Sequence, residues 1–161
     1  MIVVSNTSPL MNLALIGEPD ILSRLYGKVV IPDGVLQELC AVGVPGFALD
    51  PVSHPTWIGV VCVSNQPLVA SLRLELDIGE AEAIALAVEL AADLVLLDER
   101  KARRVAKRMG LERVGLLGVL LEAKGRGIVS EVRPILDDLV AKAGFWLGSD
   151  LRNHILARAG E

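Results

Sequence analysis

The stretch from residue 77 to residue 104, DIGEAEAIALAVELAADLVLLDERKARR, most constrains the fold of this chain. It predicts a helix that begins near Glu80, a short apolar strand over Leu94–Leu97, and an acidic residue, Asp98, directly after the strand. A strand flanked by helices is the unit of α/β folds with a parallel sheet. Because open parallel sheets bind ligands at the carboxyl ends of their strands, Asp98 marks an edge where a site is expected.

The N-terminal segment MIVVSNTSPL repeats this arrangement. Residues 2–5 are predicted to form a short apolar strand, and the polar residues Asn6, Thr7 and Ser8 follow it at once. Ser8 is predicted to cap a helix that has Pro9 in its first position. Two strands that end on oxygen-bearing side chains predict one site at one edge of the sheet.

Strands alternate with helices along most of the chain. Further short strands are predicted at residues 28–31, 60–63 and 114–115. Residues 43–59, which contain three prolines and three glycines, are predicted to be irregular. This alternation is typical of an α/β protein, here a three-layer α/β/α sandwich with a central parallel sheet.

Length and composition fit one cytoplasmic domain. We assign all 161 residues to a single domain, 1–161, in which residues 128–161 form a C-terminal helical extension. Hydrophobic residues make up 52% of the chain, which fits buried strands and also favours an exposed apolar face and a homodimer. No apolar run reaches the roughly 20 residues that cross a membrane, and the N-terminus lacks the basic region of a signal peptide. Cys40 and Cys62 have no CxxC spacing and are typical of a reducing cytoplasm.

Cationic residues are concentrated in one predicted helix. The formal net charge is −4, so attraction for nucleic acid must come from a local basic patch. The segment ERKARRVAKRMG supplies Arg100, Lys101, Arg103, Arg104, Lys107 and Arg108. Arg100, Arg103 and Arg104 begin beside the strand end and are predicted to bind nucleic acid through its phosphates. Lys107 and Arg108 are interpreted as solvated residues that favour the helix C-terminus.

Aromatic residues are too few to make base stacking a major mode of binding, since they form only 3% of the chain. Trp146 is predicted to be an apolar anchor for the C-terminal tail or a dimer contact. His54 and His154 lie far apart in the sequence and are interpreted as incidental.

Five oxygen-bearing residues lie after strands or in neighbouring helices, and they make a hard-metal site the leading hypothesis: Asn6, Glu38, Glu80, Asp98 and Glu99. Acids that share one cleft repel each other unless a cation neutralises them, and Mg²⁺ and Mn²⁺ prefer oxygen ligands. Structural alternatives remain open at each position. Glu38 also fits a solvated helix residue, and Glu80 fits the positive end of a helix. Asp98 also fits a helix cap, and Asn6 fits a turn.

Four segments occur in a specific order along residues 1–125: VVSNTSPL, VVIPDGVLQEL, GEAEAIALA…LVLLDERKARRVAKRMGL and GLLGVLLEAKGRG. They resemble the PIN-domain family, in its small prokaryotic branch related to toxin-type (VapC-like) ribonucleases and predicted nucleic-acid-binding proteins. The tail segment GFWLGSD is also similar to that branch. The resemblance implies an α/β/α fold, a cluster of acids at the carboxyl edge of the sheet, and Mg²⁺- or Mn²⁺-dependent ribonuclease activity.

The resemblance also assigns roles by position. Glu38, Glu80 and Asp98 fall on the family's acids, which implies that they bind the metal and act in catalysis. Asn6 falls on the first acid, which is normally Asp, and is predicted to be the fourth catalytic and metal-binding residue. Ser8 falls on the small hydroxyl residue that follows, and it is assigned to nucleic-acid binding together with the three arginines.

The departure at Asn6 leaves two functions open, because an amide keeps one oxygen acceptor but carries no charge. The first is a metal-dependent ribonuclease that hydrolyses RNA, as a toxin-like component with an antitoxin-like protein partner and with Glu99 as an auxiliary acid. The alternative is a catalytically weakened PIN-fold module that binds nucleic acid or another protein.

Overall fold

The computed structural model describes residues 1–47 and 54–161 of the chain. Five short strands form one sheet in these ranges: β1 Val3–Ser5, β2 Val29–Pro32, β3 Ile58–Val61, β4 Leu94–Leu96 and β5 Arg113–Val114. The strand order is β3-β2-β1-β4-β5, and every neighbouring pair is parallel. The first strand in the sequence therefore lies at the centre of the sheet.

Nine helices accompany the sheet in the described ranges. They are α1 Thr7–Leu15, α2 Asp20–Tyr26, α3 Asp33–Ala41, α4 Gln66–Leu72, α5 Ile78–Glu89, α6 Arg100–Arg108, α7 Leu116–Gly125, α8 Arg133–Lys142 and α9 Ser149–Arg158. Helices pack on both faces of the sheet, so the predicted three-layer α/β/α sandwich is confirmed. None of these helices is both long enough and apolar enough to span a membrane.

The alternation of side chains along the strands divides the core into two layers. Val3 and Leu96 belong to the layer that packs on α1, α2, α3, α7, α8 and α9. Val4 and Val95 belong to the layer that packs on α4, α5 and α6. A strand buried on both faces must be apolar at successive positions, which explains the runs of valine and leucine in β1 and β4.

Helix α1 begins earlier than the sequence predicts. It starts at Thr7 with Asn6 as its N-cap, so the prediction that Ser8 is the cap is wrong. The Asn6 N–H donates to the Leu96 carbonyl at 3.1 Å, which holds Asn6 in an extended conformation and lets the helix start at the next residue. Pro9 is then the third helical residue, where the backbone N–H has no intrahelical partner to lose.

The connection before β3 differs in part from the predicted irregular segment at 43–59. Strand β3 begins at Ile58, earlier than the predicted strand at 60–63, because it pairs with β2 from Val29 opposite Ile58 onward. Residues 48–53 of the predicted irregular segment lie outside the described residues.

Candidate functional site

Two neighbouring strands are followed by polar side chains. Strands β1 and β4 pair with Ser5 opposite Leu96, so Asn6 and Asp98 follow adjacent strand ends. Asn6 is only 5% exposed, and its Oδ1 atom has no hydrogen-bond partner within the described residues. Asp98 Oδ2 is likewise buried and has no partner there. Such atoms cost free energy unless something binds them, so they single out this edge of the sheet as a site.

Asp98 is held by the start of α7. Its Oδ1 atom accepts a hydrogen bond from the Leu116 N–H at 2.7 Å. Burial raises the pKa of the Asp98 carboxyl; the Leu116 hydrogen bond and Arg103 oppose this shift, and the charge of Glu99 adds to it. Helix α6 has Glu99 as its N-cap, so Asp98 does not cap the helix that follows it.

Glu80 takes part in a capping box at the start of α5. The Glu80 N–H donates to Asp77 Oδ1 at 2.8 Å, and the Asp77 N–H donates to Glu80 Oε2 at 3.2 Å. Glu80 therefore also stabilises the start of α5, both through the capping box and through the attraction between its charge and the positive end of the helix. Burial raises the pKa of the Glu80 carboxyl, and so do the charges of Asp77, Glu99 and Glu38. The acids of α3, α5 and the α6 N-cap are thus close enough to act on one carboxyl group.

Glu38 reaches the same region from α3. Its Oε2 atom accepts a hydrogen bond from the hydroxyl of Thr7. A Cβ built on Gly79 would lie 2.6 Å and 2.7 Å from the two Glu38 carboxylate oxygens, so the carboxylate fills space that a glycine leaves open. Glu38 is half-buried and hydrogen-bonded rather than freely solvated. The sequence pattern selects Ser8 as the functional hydroxyl residue and does not predict the contact of Thr7 with Glu38. Ser8 is half-buried in the same first turn of α1.

Five cationic side chains line a cavity of about 550 Å³ beside α6 and β5: Arg100, Arg103, Arg104, Lys107 and Arg113. No acid lines this basic pocket, and none of the five forms an ion pair within residues 1–47 and 54–161. Arg108, by contrast, pairs with Glu75 at 2.6 Å. Lys107, interpreted as a solvated residue, lines the pocket. Arg113 was not predicted, because no local pattern indicates that β5 borders α6.

Arg103 lies between the basic pocket and a second cavity. A Cβ on Gly115 would be 2.6 Å from Arg103 Nη1 and 3.4 Å from Asp98 Oδ1, so the glycine leaves room for the guanidinium beside the acid. The second cavity, about 570 Å³ in volume, is named the C-terminal cleft; its lining includes Asp98, Glu99, Arg103, Trp146, His154 and Arg158. Trp146 is 85% exposed, so the prediction that it anchors the tail is wrong.

Comparisons with known proteins establish the family. The family model described as DUF3368, PIN domain, matches residues 2–161. The chain belongs to the PIN-domain family. A PilT N-terminus domain protein, SSO1118 from the hyperthermophilic archaeon Sulfolobus solfataricus P2, has a similar fold, with a TM-score of 0.59 and 23% identity over 76% of this chain and 93% of that chain. A comparison with curated proteins finds no match.

PIN domains typically use divalent metal ions and often bind nucleic acids. In this PIN domain the donors at the sheet edge are all oxygen atoms, from Glu38, Glu80, Asp98 and the amide of Asn6. The donor types fit Mg²⁺ or Mn²⁺. Asn6 Oδ1 and Asp98 Oδ2, which have no hydrogen-bond partner in the part of the chain that the structure describes, have free capacity for such an ion. As the side chains lie, no three His, Cys, Asp or Glu residues in the described part group tightly enough to hold a metal. Each acid instead keeps its own hydrogen-bond donor.

Proposed function

We propose that this PIN domain is a metal-dependent ribonuclease that hydrolyses phosphodiester bonds of RNA. The observation that carries the proposal is the pair of buried oxygen atoms, Asn6 Oδ1 and Asp98 Oδ2, that follow adjacent strand ends and have no hydrogen-bond partner among residues 1–47 and 54–161. The raised pKa values of the Asp98 and Glu80 carboxyls support it, because a bound cation would offset the burial and repulsion that raise them. The donor types support a hard cation rather than zinc.

Glu38, Glu80, Asp98 and Asn6 are the residues that would hold Mg²⁺ or Mn²⁺. When bound, the ion supplies an activated water and stabilises charge on the phosphate. Asn6 adds an oxygen donor without adding to the repulsion among the acids. Glu99, whose charge raises the pKa values of both Glu80 and Asp98, is assigned as the auxiliary acid.

Backbone and hydroxyl donors orient the acids. The Thr7 hydroxyl holds one oxygen of Glu38, and the Asp77 N–H holds one oxygen of Glu80. The Leu116 N–H holds Asp98 Oδ1 and leaves Oδ2 for another partner. One oxygen of each carboxylate is therefore held in place, and the acids must move closer together to share a cation, since no three of them group tightly enough in the described part of the chain.

We assign RNA binding to the basic pocket. Arg100, Arg103 and Arg104 present cationic side chains suited to phosphate oxygens, and Arg103 lies beside Asp98 of the proposed catalytic site. Ser8, in the first turn of α1, is assigned as a hydroxyl donor to the same RNA. Without this local concentration of positive charge, a net charge of −4 would repel the polymer.

The proposal also includes a location in the cell, a protein partner and an oligomeric state. We assign the protein to the cytoplasm, as a toxin-like ribonuclease that an antitoxin-like protein restrains. We also assign a homodimer, on the high hydrophobic content of the chain.

The second candidate function is a weakened PIN module that binds nucleic acid or protein without cleaving RNA. Asn6 favours it, because one negative charge is missing from the position that is normally Asp in the family. The separate hydrogen-bond donors of the three acids also favour it, since a cation must compete with them.

Cleavage of total RNA with Mn²⁺ tests the ribonuclease proposal. We expect wild-type protein to cleave RNA and Glu80→Gln to lose at least about 100-fold in rate, since glutamine keeps the capping box but removes the charge. Glu89→Gln is the matched control, because it removes the same charge from the far end of α5, and it should cleave normally. Absence of cleavage by the wild type, or equal cleavage by Glu80→Gln, would contradict the proposal.

Asn6→Asp separates the two candidate functions. In a ribonuclease the added carboxylate should tighten Mn²⁺ binding and raise the cleavage rate at low Mn²⁺. In a binding module it should leave RNA cleavage absent. Calorimetric titration with Mn²⁺, run beside the cleavage assay, distinguishes a metal that binds without chemistry from one that supports it.

A further inference from the structure

Trp146 is a large apolar residue whose side chain lies almost entirely in solvent. Its exposed fraction of 85% is almost equal to that of Leu74, the most exposed large apolar residue in the described ranges at 86%. A Cβ on Gly148 would be 3.5 Å from Trp146 Cη2, so the indole lies over a glycine backbone rather than in the core. An indole left in water forfeits the burial that usually stabilises it, which is typical of a contact surface.

The residues that share a cavity with the indole indicate what kind of ligand it contacts. Trp146 lines the same C-terminal cleft as Asp98 and Glu99 of the proposed catalytic site. His154 and Arg158, from α9, also line the cleft. A volume of about 570 Å³ is within the range of cavities that hold small organic groups.

The cleft borders the basic pocket. Arg103, Gly115 and Gly118 line both cavities, and the two glycines place no side chain between them. A chain that carries phosphates and flat rings can therefore place a phosphate in the basic pocket and a ring in the cleft. Single-stranded RNA has this repeat, and proteins bind its unstacked bases on tryptophan, histidine and arginine side chains.

We infer that the C-terminal cleft binds one unstacked nucleobase of single-stranded RNA, stacked on Trp146 and flanked by His154 and Arg158. This inference rests on the proposed function, since the base belongs to the strand that the acids would cleave. A low aromatic content limits the number of stacked bases but not the use of one well-placed ring.

Binding is measured apart from cleavage in the Glu80→Gln background. The probe is a labelled oligoadenylate of about six nucleotides, compared with an abasic ribose-phosphate chain of equal length and charge. We expect fluorescence anisotropy to show tighter binding of the oligoadenylate. Trp146→Leu should weaken that binding about 10-fold or more and leave the abasic chain unaffected. Trp146→Phe should retain most of the affinity, and Leu74→Ala, an equally exposed apolar site outside the cleft, should retain all of it.

A second readout follows the indole directly. In a Trp57→Phe variant, Trp146 is the one remaining tryptophan of the chain, and its emission should be quenched by oligoadenylate but not by the abasic chain. The inference is overturned if the two probes bind equally, or if Trp146→Leu binds oligoadenylate as tightly as its parent. It is also overturned if Trp146→Leu lowers self-association alone, which would make Trp146 a dimer contact.

The outcome for the inference is separable from that for the ribonuclease. Base-dependent binding by a wild-type protein that never cleaves RNA would contradict the ribonuclease and support the base site. Glu80-dependent cleavage with no effect of Trp146→Leu on binding would support the ribonuclease and overturn the base site.

Discussion

At the scale of single residues, Asp98 carries an electrostatic cost. Its carboxyl is largely buried, one oxygen has no partner in the described part, and burial raises its pKa above the unfolded value. The native state therefore binds more protons than the unfolded state between the two pKa values. Stability falls as pH rises through that window, and the full penalty remains at neutral pH.

Asp98→Asn should stabilise the protein at neutral pH when a chelator removes divalent ions. We expect a gain on the order of 1 kcal/mol in the free energy of unfolding, because the amide still accepts from the Leu116 N–H and carries no charge. The gain should vanish near pH 3 and below, about one unit under the ordinary Asp pKa of about 3.9, where the wild-type carboxyl is protonated in both states. Urea unfolding at both pH values measures it. If the variant is less stable than wild type at pH 7, or if the gain persists at low pH, the charge of Asp98 does not destabilise the native state as we expect.

At the scale of elements, the start of α5 positions two acids at once. Its capping box fixes Glu80, and the missing side chain of Gly79 gives space to the Glu38 carboxylate. Neither contact depends on the middle of the helix. The first turn of α5 is therefore the part of the element on which the geometry of the site depends.

Gly79→Ala should reduce activity far more than stability. The new Cβ would lie under 3 Å from both Glu38 oxygens, so the carboxylate must move away from the site. We expect at least about a 10-fold loss of RNA cleavage, and a smaller change in melting temperature because alanine favours helix. Gly125→Ala in α7 is the matched control, since nothing lies within 4 Å of its Cβ; it should keep full activity. Equal activity of the two variants would contradict the role of Gly79.

Local patterns predict the elements well and the contacts between them poorly. The strand at Leu94–Leu96 and the basic helix after it follow from apolar runs and charge clusters that are visible within a few residues. Thr7 and Arg113 were missed because their roles depend on partners from other elements, Glu38 for one and the arginines of α6 for the other. The exposure of Trp146 has the same origin, since the packing of the tail decides it.

At the scale of the whole molecule, charge is strongly segregated. The chain is acidic overall, yet five cationic side chains share one acid-free cavity. A polyanion is therefore repelled by most of the surface and attracted by one part of it. Under the proposed function such a distribution would orient an RNA strand before contact, with an effect that weakens as salt rises.

RNA affinity should fall steeply with salt, and the slope should report the basic pocket. Lys107→Ala and Arg113→Ala should each reduce the slope of log affinity against log salt by about 0.7, as expected for one lost phosphate contact on a single strand. Lys142→Ala on α8, whose cation is 3.3 Å from Asp138, should leave the slope unchanged. Anisotropy titrations at several salt concentrations measure these slopes. If the slope decreases equally for all three variants, RNA affinity depends on the net charge of the protein and not on the basic pocket.

The central place of β1 has a consequence for synthesis in the cell. The Ile2 N–H donates to Asp93, 91 positions further along the chain, and β1 pairs with β4 immediately after that contact. Translation at about 5–20 residues per second separates these partners by roughly 5–20 seconds. A nascent chain on the ribosome thus carries Asn6 without Asp98, so an enzyme that cleaves RNA would stay inert until translation has passed residue 98.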